Sequence, residues 1–255
     1  MSEGPTLHLA VDLAATAGPL LCDVIERLAR GRERVRLGLA GGSTPAATFS
    51  YLLENLPEAI YPKLWVTWVD ERHLPVTLGD DWATTAWPED SNVKLAIDAW
   101  LGRAPRPACV LPMLTGADAE TDLATFTERF AEDFGGAVDV LILGAGADGH
   151  IASLFEGHPA FAETKLSCVV VTESPKPPPT RLTLTLPVLE RVDCAVLLAS
   201  GADKAMMIAR ALSGDTTLPI GRYRPTGHYH WIIDPAAASR ATAQGSTANA
   251  PGETT

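Results

Sequence analysis

The stretch VDVLILGAGADGHIASLFEGHP, residues 138–159, places the tightest limit on how this chain can fold. Apart from Asp139, its opening residues are an unbroken apolar run, short enough for a strand buried on both faces. Gly144, Ala145, Gly146, Ala147, Asp148, Gly149 and His150 then turn the backbone and expose one acid and one imidazole, and residues 151–155 offer a helix start. A strand apolar on both faces belongs in a parallel sheet covered by helices, and such sheets hold ligands at the strands' carboxyl ends. A Gly-rich turn with two surface polar groups accounts equally well for this stretch alone. The rest of the chain has to decide between the two.

The arrangement recurs. Residues 35–40 are a second apolar run that ends in Gly41-Gly42-Ser43-Thr44-Pro45. Pro45 suits a first helical position with Thr44 or Ser43 as its cap, and residues 46–56 carry the helix onward. Paired glycines before a helix present bare N–H groups and the positive end of the helix dipole, which together bind anions. The pattern lacks the Walker lysine and is not GxGxxG. Residues 64–69 form a third strand, with Trp65 and Trp68, and run into Asp70-Glu71-Arg72-His73. Residues 168–172 read as a strand leading into a proline-rich loop that carries Lys176 and Arg181. The prolines stiffen that loop, and two cations on a stiff loop suit a phosphate, with Arg gripping two oxygens.

Helical spacing is expected over 12–30, with Pro19 as a kink or a later start, and over 93–101, 119–134 and 202–212. Further strands are expected at 194–199 and 228–233, residues 182–186 alternate apolar residues with threonines, and residues 75–92 read as a lid or a long connection. Strands alternating with helices predict an α/β fold whose parallel sheet is covered on both faces. In that architecture the loops at 41–45, 70–73, 144–150 and 174–181 share one rim.

Composition narrows the function. A formal charge of −11 repels nucleic acid and anionic lipid, so neither is an expected partner. An anionic ligand then requires a locally cationic pocket. Cys22, Cys109, Cys168 and Cys194 have no zinc spacing and are expected to be buried free thiols, with no metal site. The start of the chain lacks the pattern of a signal peptide, and no apolar run reaches the roughly 18 residues of a membrane span. A cytoplasmic protein is expected.

Taken together, GGSTP (41–45), VDERHLP (69–75), DSN (90–92), LGAGADGHIASLF (143–155), GHP (157–159), SPKPPPTRLTLTLPVL (174–189) and HWIID (230–234) resemble the 6-phosphogluconolactonases of the pentose phosphate pathway. The resemblance covers about residues 7–238. It implies a three-layer α/β/α Rossmann-like fold, shared with glucosamine-6-phosphate deaminases and ribose-5-phosphate isomerases. A single lactonase domain is expected over 1–238, working as a monomer or small homo-oligomer, and the small, polar, Pro/Gly-bearing composition of 239–255 predicts a disordered tail. The deaminases carry a DGH turn too, but continue into a Phe-Asn-Glu-Pro type segment where this chain has Ala152-Ser153-Leu154-Phe155. Two departures stand out: Glu156 replaces a usual Pro, adding a carboxylate near the site, and residues 76–89 are unlike the family's short link.

The implied reaction is hydrolysis of 6-phospho-D-glucono-1,5-lactone, a sugar-phosphate lactone, to 6-phospho-D-gluconate, with no cofactor. A lactone needs an activated water and a stabilised oxyanion, and an imidazole titrating near neutrality is the natural base. His150 takes that role. Asp148 and Asp70 are candidates to orient the imidazole or the sugar hydroxyls, and Arg72 to stabilise the oxyanion or hold the ligand. Gly41, Gly42, Ser43 and Thr44, with Lys176 and Arg181, are assigned to the phosphate. The competing readings are a deaminase or isomerase on the same fold, and a non-catalytic sugar-phosphate sensor.

Overall fold

The computed structural model describes residues 4–241. Its elements follow in the order β1 (Thr6–Leu9), α1 (Leu13–Gly31), β2 (Val35–Leu39), α2 (Ser43–Asn55), β3 (Leu64–Trp68), β4 (Asp70–Arg72), α3 (Asn92–Ala96), β5 (Cys109–Leu111) and α4 (Ala119–Phe134). The second half runs β6 (Val140–Gly144), β7 (Cys168–Val171), β8 (Arg181–Leu184), α5 (Leu186–Glu190), β9 (Cys194–Ala199), α6 (Ala205–Leu212), α7 (Pro219–Arg222), β10 (His228–Ile233) and α8 (Pro235–Ala238).

Seven strands build one sheet in the order β1-β10-β9-β6-β2-β3-β5, and every neighbouring pair is parallel. The double-sided burial expected of β6 is observed: Val140, Leu141, Ile142 and Leu143 are all fully buried. After β2 the chain moves one way along the sheet to β3, whereas after β6 it moves the other way to β9. Right-handed crossovers then place α1 and α2 on one face and α4 and α6 on the other, giving three layers. The neighbouring strands β2 and β6 mark the point where the winding reverses, and a crevice opens there beyond their carboxyl ends. One apolar core runs from Ala10 to Ala238. At the other end of the sheet, buried Asp139 accepts from Arg36 Nη2 at 2.6 Å and from Arg32 Nη1 at 3.0 Å, which explains the single charge in that apolar run.

Not every strand joins this sheet. β4, β8 and β7 form a separate antiparallel sheet in that order, with Asp70 opposite Thr183 and Arg72 opposite Arg181. Residues 70–72 are therefore a strand and not a loop. The reason is connectivity: a parallel neighbour needs a crossover of roughly a dozen residues, usually a helix, and β7 reaches β8 through a short loop without one.

Several local expectations also change. α2 begins at Ser43 with Gly42 as its N-cap at φ 97°, so neither hydroxyl caps it and Pro45 lies within the first turn. Pro19 does not break α1, which is continuous and capped by Asp12 accepting from Ala15 N. Residues 151–154 form a tight turn instead of a helix, closed by Leu154 N donating to Ile151 O at 3.0 Å. Residues 235–238 are a helical turn capped by Asp234, with Ala237 and Ala238 buried. Most of the expected tail, residues 242–255, lies outside the described residues. Residues 76–89 fold back on themselves through the Thr77–Ala86 bridge and the Trp87 Nε1 bond to Trp82 O at 2.7 Å.

Cys22, Cys168 and Cys194 are buried free thiols, while Cys109 is half-buried. Burial pushes the Cys168 thiol up to about 12. Among the described residues no helix is long and apolar enough to cross a membrane. No cluster of three or more His, Cys, Asp or Glu among them is arranged to hold a metal ion.

Candidate active site

The crevice holds a cavity of about 220 Å³, lined by residues 40–45, residues 144–146, and His150, Arg72, Arg181 and Lys204 among others. That volume lies below the roughly 300–1,000 Å³ typical of drug-sized ligands, so it suits one small polar molecule. None of residues 76–89 lines it, nor does Glu156, whose carboxylate lies 3.9 Å from Arg210 on α6.

The first wall is the loop from β2 into α2. A Cβ on Gly41 would come within 1.7 Å of Asn92 Oδ1, so only glycine lets the strand end pass that side chain. Gly42 at φ 97° supplies the sharp turn. The first amides of α2 have no acceptor within the helix and stand at its positive end, which equips this wall for an anion.

The second wall is the turn after β6. Gly146 N donates to His150 O at 3.0 Å and Gly149 N to Gly146 O at 3.0 Å, which closes the turn and brings Asp148 beside His150. Asp148 Oδ1 lies 2.6 Å from His150 Nδ1, and the imidazole packs 4.8 Å from the Phe155 ring. With Nδ1 engaged by a carboxylate, Nε2 is the nitrogen left to act as acceptor. Gly146 is required here as well, since a Cβ would come within 2.0 Å of His150 Nδ1. Burial alone would raise the Asp148 carboxyl. The hydrogen bond and charge of His150, together with the Lys176 ammonium, overcome this and hold it well below the usual carboxylate range.

Of the two aspartates considered for the imidazole, Asp148 holds it. Asp70 is buried elsewhere in the wall, accepting from Ser153 Oγ at 2.7 Å and Asn92 Nδ2 at 3.3 Å, with Arg181 Nη1 3.9 Å away. Its neighbour Glu71 is fully buried and accepts from Asn92 N at 2.9 Å, Val93 N at 3.0 Å, Ser91 Oγ at 2.8 Å and Arg72 N at 2.7 Å. Burial pushes the Glu71 carboxyl up to about 7 against those four bonds. The result ties β4 to the start of α3 and sets the backbone of Arg72, whose guanidinium reaches the Asp90 carbonyl and whose buried Nε has no partner.

Arg181 lines the cavity, yet much of its guanidinium is occupied by its own loop. It donates to the carbonyls of Lys176 and Pro177, both at 3.1 Å, and of Pro178 at 3.3 Å. Burial lowers its pKa from the ordinary arginine value. Lys176 does not line the cavity, and its Nζ lies 3.2 Å from Asp148 Oδ1.

Sequence reasoning assigned no site role to Lys204, which lines the cavity with its Nζ 2.5 Å from Asp203. It follows the carboxyl end of β9, the same strand-end position as the other loops, and that placement was the available signal. Asn92 and Ser153 lie in quoted motifs, but their contacts with Asp70 span 22 and 83 residues and left no local trace.

The rim brings an imidazole–carboxylate pair beside a helix N-terminus and two arginines, groups of the kind that acid–base chemistry on a small anion uses. The matching family over residues 9–231 is that of glucosamine-6-phosphate isomerases/6-phosphogluconolactonase, and the chain belongs to it. It is 35% identical to human 6-phosphogluconolactonase over 226 residues, 83% of this chain and 82% of the human protein. It is 34% identical to the Streptomyces coelicolor 6-phosphogluconolactonase over 261 residues, covering 94% of this chain and 96% of the relative. Among solved structures, Trypanosoma cruzi 6-phosphogluconolactonase superposes with a TM-score of 0.80 at 24% identity, covering 95% of this chain and 98% of that one. A monomeric glucosamine-6-phosphate deaminase superposes at 0.72 with 20% identity, covering 93% and 100%. At those identities the two structures speak to the shared fold alone.

Proposed function

We propose that this chain hydrolyses 6-phospho-D-glucono-1,5-lactone to 6-phospho-D-gluconate, as one domain over residues 1–238, in the cytoplasm and without a cofactor. The observation that carries the reading is the His150–Asp148 pair at 2.6 Å, whose imidazole lines the same cavity as residues 42–44 at the start of α2. The names of the relatives at 34–35% identity support the same substrate.

In this mechanism His150 Nε2 takes a proton from water as the oxygen attacks the lactone carbonyl carbon. The C=O electrons move onto oxygen, and the Arg72 guanidinium offsets the resulting charge. Collapse breaks the bond to the ring oxygen, which leaves with the proton held by His150. Asp148 stabilises the imidazolium throughout. The phosphate is held by the start of α2, with Lys204 and Arg181 supplying positive charge against the overall −11.

The test measures the rate above spontaneous hydrolysis with freshly generated lactone, with glucosamine 6-phosphate as the control substrate. Turnover of the lactone alone is expected, and His150→Ala should lower kcat by roughly a hundredfold or more with an unchanged circular dichroism spectrum. A lactone rate no faster than background, or a near-normal His150→Ala enzyme, overturns the reading.

A further inference from the structure

Of the three cations expected at the site, Arg72 and Arg181 line the cavity and Lys176 does not. The Lys176 ammonium instead shares an oxygen with the imidazole: Asp148 Oδ1 is 3.2 Å from Lys176 Nζ and 2.6 Å from His150 Nδ1. The two nitrogens are thus within roughly 6 Å of each other, well inside a Debye length.

The loop is built to keep this contact. Arg181 clasps the carbonyls of Lys176, Pro177 and Pro178. Ser174 Oγ donates to Lys176 O at 3.0 Å, and Ser174 N to Pro179 O at 2.9 Å. With its backbone tied at both ends, Lys176 gives up little further freedom in reaching Asp148.

We propose that Lys176 is a positioning residue that sets the basicity of His150 through Asp148, and that it does not hold the substrate phosphate. The ammonium draws on the same carboxylate oxygen and repels an imidazolium, so it keeps His150 unprotonated at a lower pH than Asp148 alone would allow. A base must be free to accept a proton when substrate arrives, and this arrangement widens the pH range over which it is. The inference rests on His150 as the base in the proposed function. The depressed Asp148 carboxyl agrees with it, since Lys176 is one of the groups that lower it. The other charges around the imidazole are Asp70 and Arg72 on β4, Arg181 on β8, and Asp203 with Lys204 before α6. All of them are retained when only residue 176 is changed.

The experiment uses full-length Lys176→Met and Lys176→Arg proteins. It follows the His150 imidazole titration by NMR without substrate, and kcat and KM for the lactone from pH 5.5 to 8. Removing a unit charge about 6 Å away, at an effective dielectric of about 40–80, should raise the His150 pKa by roughly 0.5–1 unit in Lys176→Met. The acid limb of kcat/KM should move up by the same amount with KM unchanged, and Lys176→Arg should restore both. A higher KM with the titration unmoved would place Lys176 on the phosphate and overturn the proposal. So would a His150 titration that stays put or moves down. Because the titration needs no substrate, a failure of the lactonase reading shows separately, as absent turnover in the unaltered enzyme.

Discussion

Replacing Asp148 by Asn removes one charge from the site and changes almost no volume. Asp148 Oδ1 accepts from His150 Nδ1 at 2.6 Å, within the short range of a charge-assisted bond. A carboxylate at that distance favours positive charge on the imidazole, and the Lys176 ammonium on the same oxygen opposes it. Asn can also present its N–H to Nδ1, which would hold the proton on Nε2 and leave no ring nitrogen free to take one from water. A hydrogen bond to a charged group contributes about 1.5–3 kcal/mol, so kcat should fall by roughly 10- to 150-fold. KM should stay nearly constant, because the proposed phosphate site is the start of α2 and does not include Asp148. Initial rates above background at pH 6–8, combined with the NMR titration of His150, provide the assay. The His150 pKa should fall, opposite in sign to the Lys176→Met change.

Stability does not confuse that comparison. The folded pKa of Asp148 is lowered from the model-compound value of 3.8, so its stabilising contribution is present above about pH 4 and is lost as pH falls through the lower folded value. The assay window lies well above that range. A kcat within threefold of the unaltered enzyme, or a His150 titration that moves up, would refute the pairing as the source of catalytic basicity.

Two further outcomes test the frame of the site. Gly146→Ala would push a methyl toward positions 2.0 Å from His150 Nδ1 and 2.4 Å from Asp148 Oδ1. It should lower kcat by roughly tenfold or more, the scale of a misplaced catalytic group, and an unchanged kcat would show that the pair tolerates displacement. Burial pushes the Glu71 carboxyl up to about 7 from its ordinary 4.5, so its contribution is fully present below 4.5 and is lost as pH rises through 7. Glu71→Gln has no such dependence, so the unfolding free-energy advantage of the unaltered protein over this variant, read from denaturant melts, should be largest near pH 5 and shrink toward pH 8, by an amount on the order of 3 kcal/mol. A gap independent of pH would mean that Glu71 is ionised throughout.

Much of this architecture is legible in the amino-acid sequence. The apolar run at residues 140–143 announced a strand buried on both faces, because only a covered parallel sheet leaves no polar face on a strand. Gly41, Gly42 and Gly146 marked where backbone must turn or pass a side chain, since conformational freedom and a missing Cβ are local properties. His150 and Asp148 stand out as site candidates in that turn, but the sequence left Asp148 and Asp70 as equal candidates for the imidazole, and only the fold chose Asp148.

What the tertiary structure alone decided are the partnerships across long stretches of chain. No local pattern says that Asp70 meets Ser153, that residues 70–72 pair with β8 or that Lys176 turns to Asp148. Each such contact depends on where two distant segments are carried by the packing of the sheets and helices between them. Periodicity along the chain reports whether a side chain is buried. Which partner it finds is set by three-dimensional placement, and for charged groups the partner determines the chemistry.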